Sequence, residues 1–249
     1  MMNKYIGKII NKYSPIDKIK FLDLSTQFFV NSTYRDFDFP RRLFFNLKTP
    51  LCKIMIKNGS DKAGYYGESQ HNYTTLYHEL FSNKINKSVR VFEMGIGTTN
   101  PEIVSNMGIG GVPGASLMAW SSYFKNGLIY GADIDKTVLF QTEKIRTFFC
   151  DQTSSSSILQ MWSFFDPGIK FDIIIDDGLH TFDANISLFE NSNAMLSDTG
   201  WYIIEDVFYT DLSNWKQYLK GQNQFMAALI CIPNPFNKKD NNLILFKRK

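Results

Sequence analysis

Val89-Arg90-Val91-Phe92-Glu93-Met94-Gly95-Ile96-Gly97-Thr98 is the stretch that decides the fold. A short apolar run that ends in turn residues reads as a buried strand, and the glycines after it let the backbone turn tightly and approach a ligand. Outward from it the pattern repeats. Residues 115–124 read as a helix, 127–132 as a second strand and 135–147 as a second helix. Residues 171–175 form the most apolar strand. Residues 182–196 follow as a helix with Phe182, Ile186 and Phe189 about one turn apart. Strand 201–204, helix 212–219 and strands 226–232 and 242–246 complete the series. Strands alternating with helices predict a parallel sheet covered on both faces. The last two strands, joined by the polar turn 234–241, predict an antiparallel hairpin at its edge.

Ahead of residue 85 the pattern is irregular and aromatic-rich, broken by Pro40 and Pro50, with one helix expected at 73–81. The chain therefore divides into an N-terminal helical and irregular extension, 1–85, placed to act as a lid, and a sheet domain, 86–249. Hydrophobic residues make up 44% and charged residues 20% of the 249, which is ordinary for a globular protein with a proper core. A net charge of +3 on scattered Lys and Arg argues against nucleic acid. No apolar run is long enough to span a membrane, and the basic N-terminus lacks the apolar core and cleavage site of a secretory signal. The three cysteines, Cys52, Cys150 and Cys231, lack metal-ligand spacing and read as thiols in a reducing cytoplasm. The hydroxyl-rich run 153–157 reads as a loop entering a helix N-cap.

In parallel sheets of this kind ligands sit beyond the carboxyl ends of the strands, where the strand order reverses. Glu93, Gly95 and Gly97 stand at the first such end and Asp133 at the second. A carboxylate there can accept ribose hydroxyls, although a tight turn at the glycines and a helix N-cap at Asp133 explain each residue taken alone. The phosphate-binding pattern of dinucleotide enzymes needs a third glycine opening a helix. Here Thr98-Thr99-Asn100-Pro101 and a glycine-rich insertion, 108–114, follow instead, which favours a nucleoside without a pyrophosphate.

A second cluster stands at the next two strand ends: Asp176-Asp177-Gly178-Leu179-His180, then Glu205-Asp206. Four carboxylates on one rim repel, so they need a cation, a proton or heavy solvation. Capping of the next helix by Asp176 or Asp177 accounts for one of them. A hard divalent cation such as Mg²⁺ accounts for the set.

The motif E-x-G-x-G at 93–97, the acidic Asp133 and the segment Cys150-Asp151-Gln152 together resemble the cofactor site of class I S-adenosylmethionine (SAM)-dependent methyltransferases. That resemblance covers roughly residues 88–249 and implies a Rossmann-like α/β fold. It implies that Glu93, Gly95 and Gly97 line the methionine and ribose, that Asp133 binds the ribose hydroxyls, and that Asp151, with Gln152 beside it, lies near the adenine. D-D-G-x-H followed by E-D is similar to the metal-dependent sugar O-methyltransferases of macrolide tailoring, relatives of which occur in bacterial surface-polysaccharide clusters. Carried over by position, Asp177, Glu205 and Asp206 hold Mg²⁺ and His180 is the base, with Asp177 also in the catalytic set. Ser60-Asp61-Lys62 and His71-Asn72-Tyr73-Thr74 with Tyr77 extend the likeness to about residue 60. Asp61 and Lys62 fit a loop over the cofactor, whereas His71 reads as a surface or packed histidine. The expected function is methyl transfer to a hydroxyl of a carbohydrate or nucleotide-sugar, in the cytoplasm, in capsule or other surface-glycan synthesis, with room for a homo-oligomer. The rivals are an NAD-dependent oxidoreductase and a non-catalytic nucleotide-binding member of the fold.

Overall fold

The computed structural model describes residues 49–63, 70–232, 234 and 236–249. The expected extension up to residue 48 lies outside the described residues. In chain order the elements are α1 (Pro50–Asn58), α2 (Thr74–Phe81), β1 (Arg90–Met94), α3 (Ala115–Tyr123), β2 (Leu128–Asp133) and β3 (Ile145–Phe149), followed by α4 (Ser155–Trp162), β4 (Phe171–Asp176), α5 (Phe182–Ser192), β5 (Leu196–Ile204), α6 (Leu212–Lys220), β6 (Phe225–Cys231) and β7 (Asn242–Arg248). No helix among the described residues is long and apolar enough to cross a membrane.

The strands form one seven-stranded sheet in the order β3-β2-β1-β4-β5-β7-β6. β1 to β5 pair in parallel, and β7 pairs antiparallel with both β5 and β6. This is the expected α/β class with its antiparallel edge. The strand order reverses between β1 and β4, so the crevice at that switch point opens beyond Met94 and Asp176.

Both faces of the central strands are buried, as a parallel sheet demands. Val91, Ile173, Ile175 and Ile203 point into one core, packed with α1, α2 and α3 through Leu51, Met55, Tyr77, Phe81 and Trp120. Phe92, Ile174, Tyr202 and Ile204 point into the other, with Met161 of α4, Leu188 of α5 and Trp215 of α6. The period-2 alternation assigns neighbouring residues of each strand to opposite cores. Residues of α1 and α2 thus share a core with the sheet across the 85/86 boundary.

One expected element is corrected. Residues 135–147 are not a helix. Asp135 caps only a single 3₁₀ turn, Lys136–Val138, and the chain then extends into β3, which pairs in parallel with β2. Thr137, Val138, Thr142, Ile145 and Thr147 are β-branched, and Phe148 and Phe149 follow them. Such residues lose rotamer freedom in a helix and fit a pleated strand. The hydroxyl-rich run behaves as expected, with Ser154 capping α4 through the Ser157 N–H.

Candidate active site

The ladder hydrogen bonds continue one residue beyond the strands and set the rim. Gly95 N–H donates to Ala132 O (2.8 Å), Asp177 N–H to Met94 O (2.9 Å) and Glu205 N–H to Asp176 O (2.9 Å). The first turn past β1, the Asp177 loop and the Glu205-Asp206 pair are thereby held in register side by side.

At β1 the glycines do steric work. Gly95 and Gly97 have φ of +90° and +87°. A Cβ on Gly95 would overlap the backbone carbonyl of Asp177, whereas one on Gly97 would meet only the flexible side chain of Met107. Gly95→Ala is therefore expected to cost about 2–4 kcal/mol, from a strained backbone and a clash with main chain. Gly97→Ala, sharing the strain but not the rigid clash, should cost distinctly less. Urea denaturation of the two variants checks the ranking.

Asp133 is buried at the end of β2. Its Oδ2 accepts from Ile96 N–H (2.8 Å) and Gly97 N–H (3.1 Å), and its Oδ1 from Asp135 N–H (2.9 Å). The carboxylate thus holds the glycine turn in shape. Three donors leave room for roughly one more on a group with about four acceptor sites. Asp133→Ala strands three amide hydrogens and should destabilise the fold by at least about 2 kcal/mol, as well as weaken binding of S-adenosylhomocysteine (SAH). Thermal melts run beside SAH calorimetry separate the two effects. Asp135, two residues on, accepts from Thr137 and from Thr98 Oγ1 (2.5 Å), and these bonds hold its carboxyl below the usual range.

Glu93 is fully buried, accepting from Ser116 Oγ (2.5 Å) and Trp120 Nε1 (2.7 Å) of α3. Asp151 is partly exposed and bonds its own turn at Thr153. Gln152 is buried and reaches back to the rim, donating to Asp176 Oδ1 (2.6 Å) and accepting from Leu179 N–H (2.9 Å). With Asn185 on the other oxygen (3.0 Å), Asp176 is a braced interior carboxyl that burial pushes up to about 7. Neither Asp176 nor Asp177 caps α5. Thr181 does, which removes helix capping as their role.

Asp177, His180 and Asp206 meet beyond β4 and β5, with one ligand atom from each lying within 4.8 Å of the others. His180 and Asp206 adopt left-handed backbone, φ 59° and 53°, at a cost of about 1–3 kcal/mol each. His180 Nε2 lies 4.0 Å from Asp206 Oδ2. Among the described residues, its buried Nδ1 has no hydrogen-bond partner. The two carboxylates suit a divalent cation preferring oxygen ligands, and the imidazole stands beside them with a spare nitrogen.

The segment ahead of the sheet supplies partners that the sequence reading did not foresee. Tyr73 and Tyr77 lie one helical turn apart, so their hydroxyls reach the same rim. Tyr73 donates to Asp206 Oδ1 (2.8 Å) and Tyr77 to Glu205 Oε1 (2.6 Å). His71 is buried, stacks on Tyr73 and sits 3.4 Å from Asp206 Oδ1, so of its two readings, surface or packed, it is the packed one. Burial works to raise Asp206, but His71, His180, Lys62 and the Tyr73 bond hold it below the ordinary carboxyl range. The turn between β6 and β7 secures this segment through Asn241 to Asn72 (2.7 Å) and Asn234 to Gln70 O (2.9 Å).

Lys62 is 2% exposed and inserts its ammonium among the carboxylates. Nζ contacts Asp177 Oδ2, lies 2.5 Å from Glu205 Oε2 and 3.6 Å from Glu93 Oε1. Burial opposes its charge, yet Asp177, Glu205 and Glu93 outweigh that and hold the ammonium well above its ordinary pKa. For Glu205 and Asp177 burial dominates over Lys62 and raises both carboxyls. An i,i+4 tyrosine pair beside a lysine and a histidine, just ahead of the first strand, is the signal that marks this half of the site.

Comparison with known proteins gives this geometry its context. No family model matches the chain. The chain is 33% identical over 154 residues to demethylmacrocin O-methyltransferase of Streptomyces fradiae, a match covering 61% of this chain and 34% of that protein. It is 32% identical over 175 residues to mycinamicin VI 2''-O-methyltransferase of Micromonospora griseorubida, covering 70% and 38%. An 8-demethyl-8-alpha-L-rhamnosyl tetracenomycin-C 2'-O-methyltransferase of Streptomyces olivaceus is 29% identical over 157 residues, covering 63% and 37%. The solved MycE methyltransferase of mycinamycin biosynthesis, in complex with Mg, SAH and mycinamycin VI, superposes with a TM-score of 0.59 at 23% identity, over 81% of this chain and 55% of that one. The chain has the class I methyltransferase fold and is related to the sugar O-methyltransferases of macrolide tailoring. It spans under half the length of these curated relatives.

Proposed function

We propose that this methyltransferase-fold chain moves a methyl group from SAM to a hydroxyl of a sugar, with Mg²⁺ at the acidic rim and His180 as the base. The observation that carries this reading is the meeting of Asp177, His180 and Asp206 directly beside the Gly95–Gly97 turn. SAM supplies a methyl already activated on a sulfonium. Glu93, Gly95 and Gly97 line its methionine and ribose, Asp133 keeps an acceptor site for a ribose hydroxyl, and Asp151 and Gln152 stand on the adenine side. Asp177, Glu205 and Asp206 would hold Mg²⁺, which would supply the polarisation that makes a sugar hydroxyl more acidic. His180 takes the proton from the attacking hydroxyl. An imidazole is the side chain suited to that exchange near neutral pH. Lys62, Tyr73 and Tyr77 face the rim from ahead of the sheet, and the sheet domain from 86 onward carries the cofactor.

Mycinamicin VI, rhamnosyl tetracenomycin-C and olivosyl-oleandolide, named for the related enzymes, are sugar-bearing small molecules. A sugar or nucleotide-sugar acceptor, as in surface-glycan synthesis, extends that chemistry, because vicinal hydroxyls are a natural chelating pair. The test is transfer of labelled methyl from SAM to a panel of glycosylated small molecules and nucleotide-sugars, with Mg²⁺ and with excess EDTA. Mg²⁺-dependent labelling of a sugar hydroxyl is the expected result. Full turnover in EDTA would reassign the acidic rim.

A further inference from the structure

The sugar-methyl-transfer reading leaves one buried group without a task. Lys62 Nζ sits between Asp177 Oδ2 and Glu205 Oε2, two carboxylates that the proposed function gives to the metal. Mg²⁺–oxygen contacts are about 2.0–2.1 Å, so an ammonium and a divalent cation cannot both be served there. We propose that Lys62 is an internal counter-cation that competes with the divalent metal for Asp177 and Glu205. Metal binding displaces the ammonium from the rim. This rests on the rim being a metal site.

Three observations support displacement over a fixed structural bridge. A single ammonium faces three carboxyl groups, Glu93, Asp177 and Glu205, so they outnumber the one lysine that serves them. Asp177 remains partly exposed, with 22% of its side chain accessible, so a cation can reach it from solvent. The backbone of Lys62 is tied by long bonds, its N–H to Ser60 Oγ at 3.3 Å and Thr74 N–H to its carbonyl at 3.4 Å. A lysine is also a point charge on a flexible stem, able to swing without breaking a bidentate geometry. Loading the metal would therefore swing the Lys62 ammonium out of the rim, while the turn that carries it stays held by His71 N–H on Asp61 O (2.9 Å).

The test is calorimetric titration of the full chain with Mn²⁺ alone, comparing wild type, Lys62→Met and Lys62→Arg. Removing the competing charge should tighten Mn²⁺ binding on the order of tenfold or more in Lys62→Met. Lys62→Arg, which keeps the charge, should bind no tighter than wild type. Wild type that binds Mn²⁺ while Lys62→Met binds it equally or more weakly would overturn the competition and leave the metal reading standing. Absence of binding in both would overturn the two together. A second measurement on wild type avoids any folding defect of the variant. Reductive dimethylation of Lys62, followed by mass spectrometry, should be slow without metal and faster at saturating Mn²⁺. A rate that saturating Mn²⁺ leaves unchanged or lowers would show that the ammonium stays in place.

Discussion

Methyl transfer by Asp206→Ala is expected to fall to background while SAH binds with near wild-type affinity. Asp206 is the residue on which both halves of the site converge. Its carboxylate receives Tyr73 at 2.8 Å, faces His71 at 3.4 Å, and lies 4.0 Å from the His180 ring. Removing it deletes an oxygen donor from the Asp177–His180–Asp206 set and leaves the glycine turn, built on Asp133 and Gly95, untouched. Loss of one hard ligand from a site with few of them should remove Mg²⁺ dependence altogether. Because the variant also removes the shortest hydrogen bond of the buried Tyr73 hydroxyl, Asp206→Asn is the companion. It keeps an oxygen for Tyr73 and lacks the charge, so it should melt near wild type and still be inactive. SAH calorimetry, a melt and the methyl-transfer assay on the two variants check the claim. Retained activity in folded Asp206→Asn would exclude this carboxylate from the metal site.

His180→Ala should lose about 10²- to 10⁴-fold in kcat with SAH and metal affinity largely retained, the usual range for removal of a general base. The geometric ground is the His180 φ of 59°, which places the ring beside Asp206 and Asp177 at an energetic cost, and a buried Nδ1 without a described partner. A ring that only braced a neighbour would be expected to spend both nitrogens on protein contacts. The measurement is the pH profile of kcat for wild type and His180→Ala. The acid limb should disappear in the variant. If kcat stays near normal with the same limb, the proton goes elsewhere, and Asp177, raised by burial within the same cluster, becomes the base.

Much of the frame follows from local pattern. Apolar runs at 89–94, 128–132, 171–175 and 201–204 alternate with helices because a doubly covered parallel strand must be apolar on both faces. Chain order then puts Glu93, Asp133, Asp177, Glu205 and Asp206 at strand ends, since each follows its run directly. The glycines at 95 and 97 are legible for the same reason, as a turn that needs φ above zero. The apolar spacing of 135–147 fits a helix as well as a strand. Pairing with β2 decided for a strand, and no window of sequence contains that partner.

The charge balance of the site belongs to the tertiary structure alone. Lys62 meets Glu205 across 143 residues and Asp177 across 115, and Tyr73 meets Asp206 across 133. The tyrosine pair and the lysine mark this segment in the sequence, but nothing local says which carboxylate each one meets. Those contacts exist because α1 and α2 bury Leu51, Met55, Tyr77 and Phe81 in the sheet's own core, which brings Lys62 and Tyr73 to the carboxyl ends of the strands. The residues that form the acidic rim were thus readable from the chain, because strand ends are a local property. The cation and hydroxyls that face it were not, because hydrophobic packing of distant segments places them there.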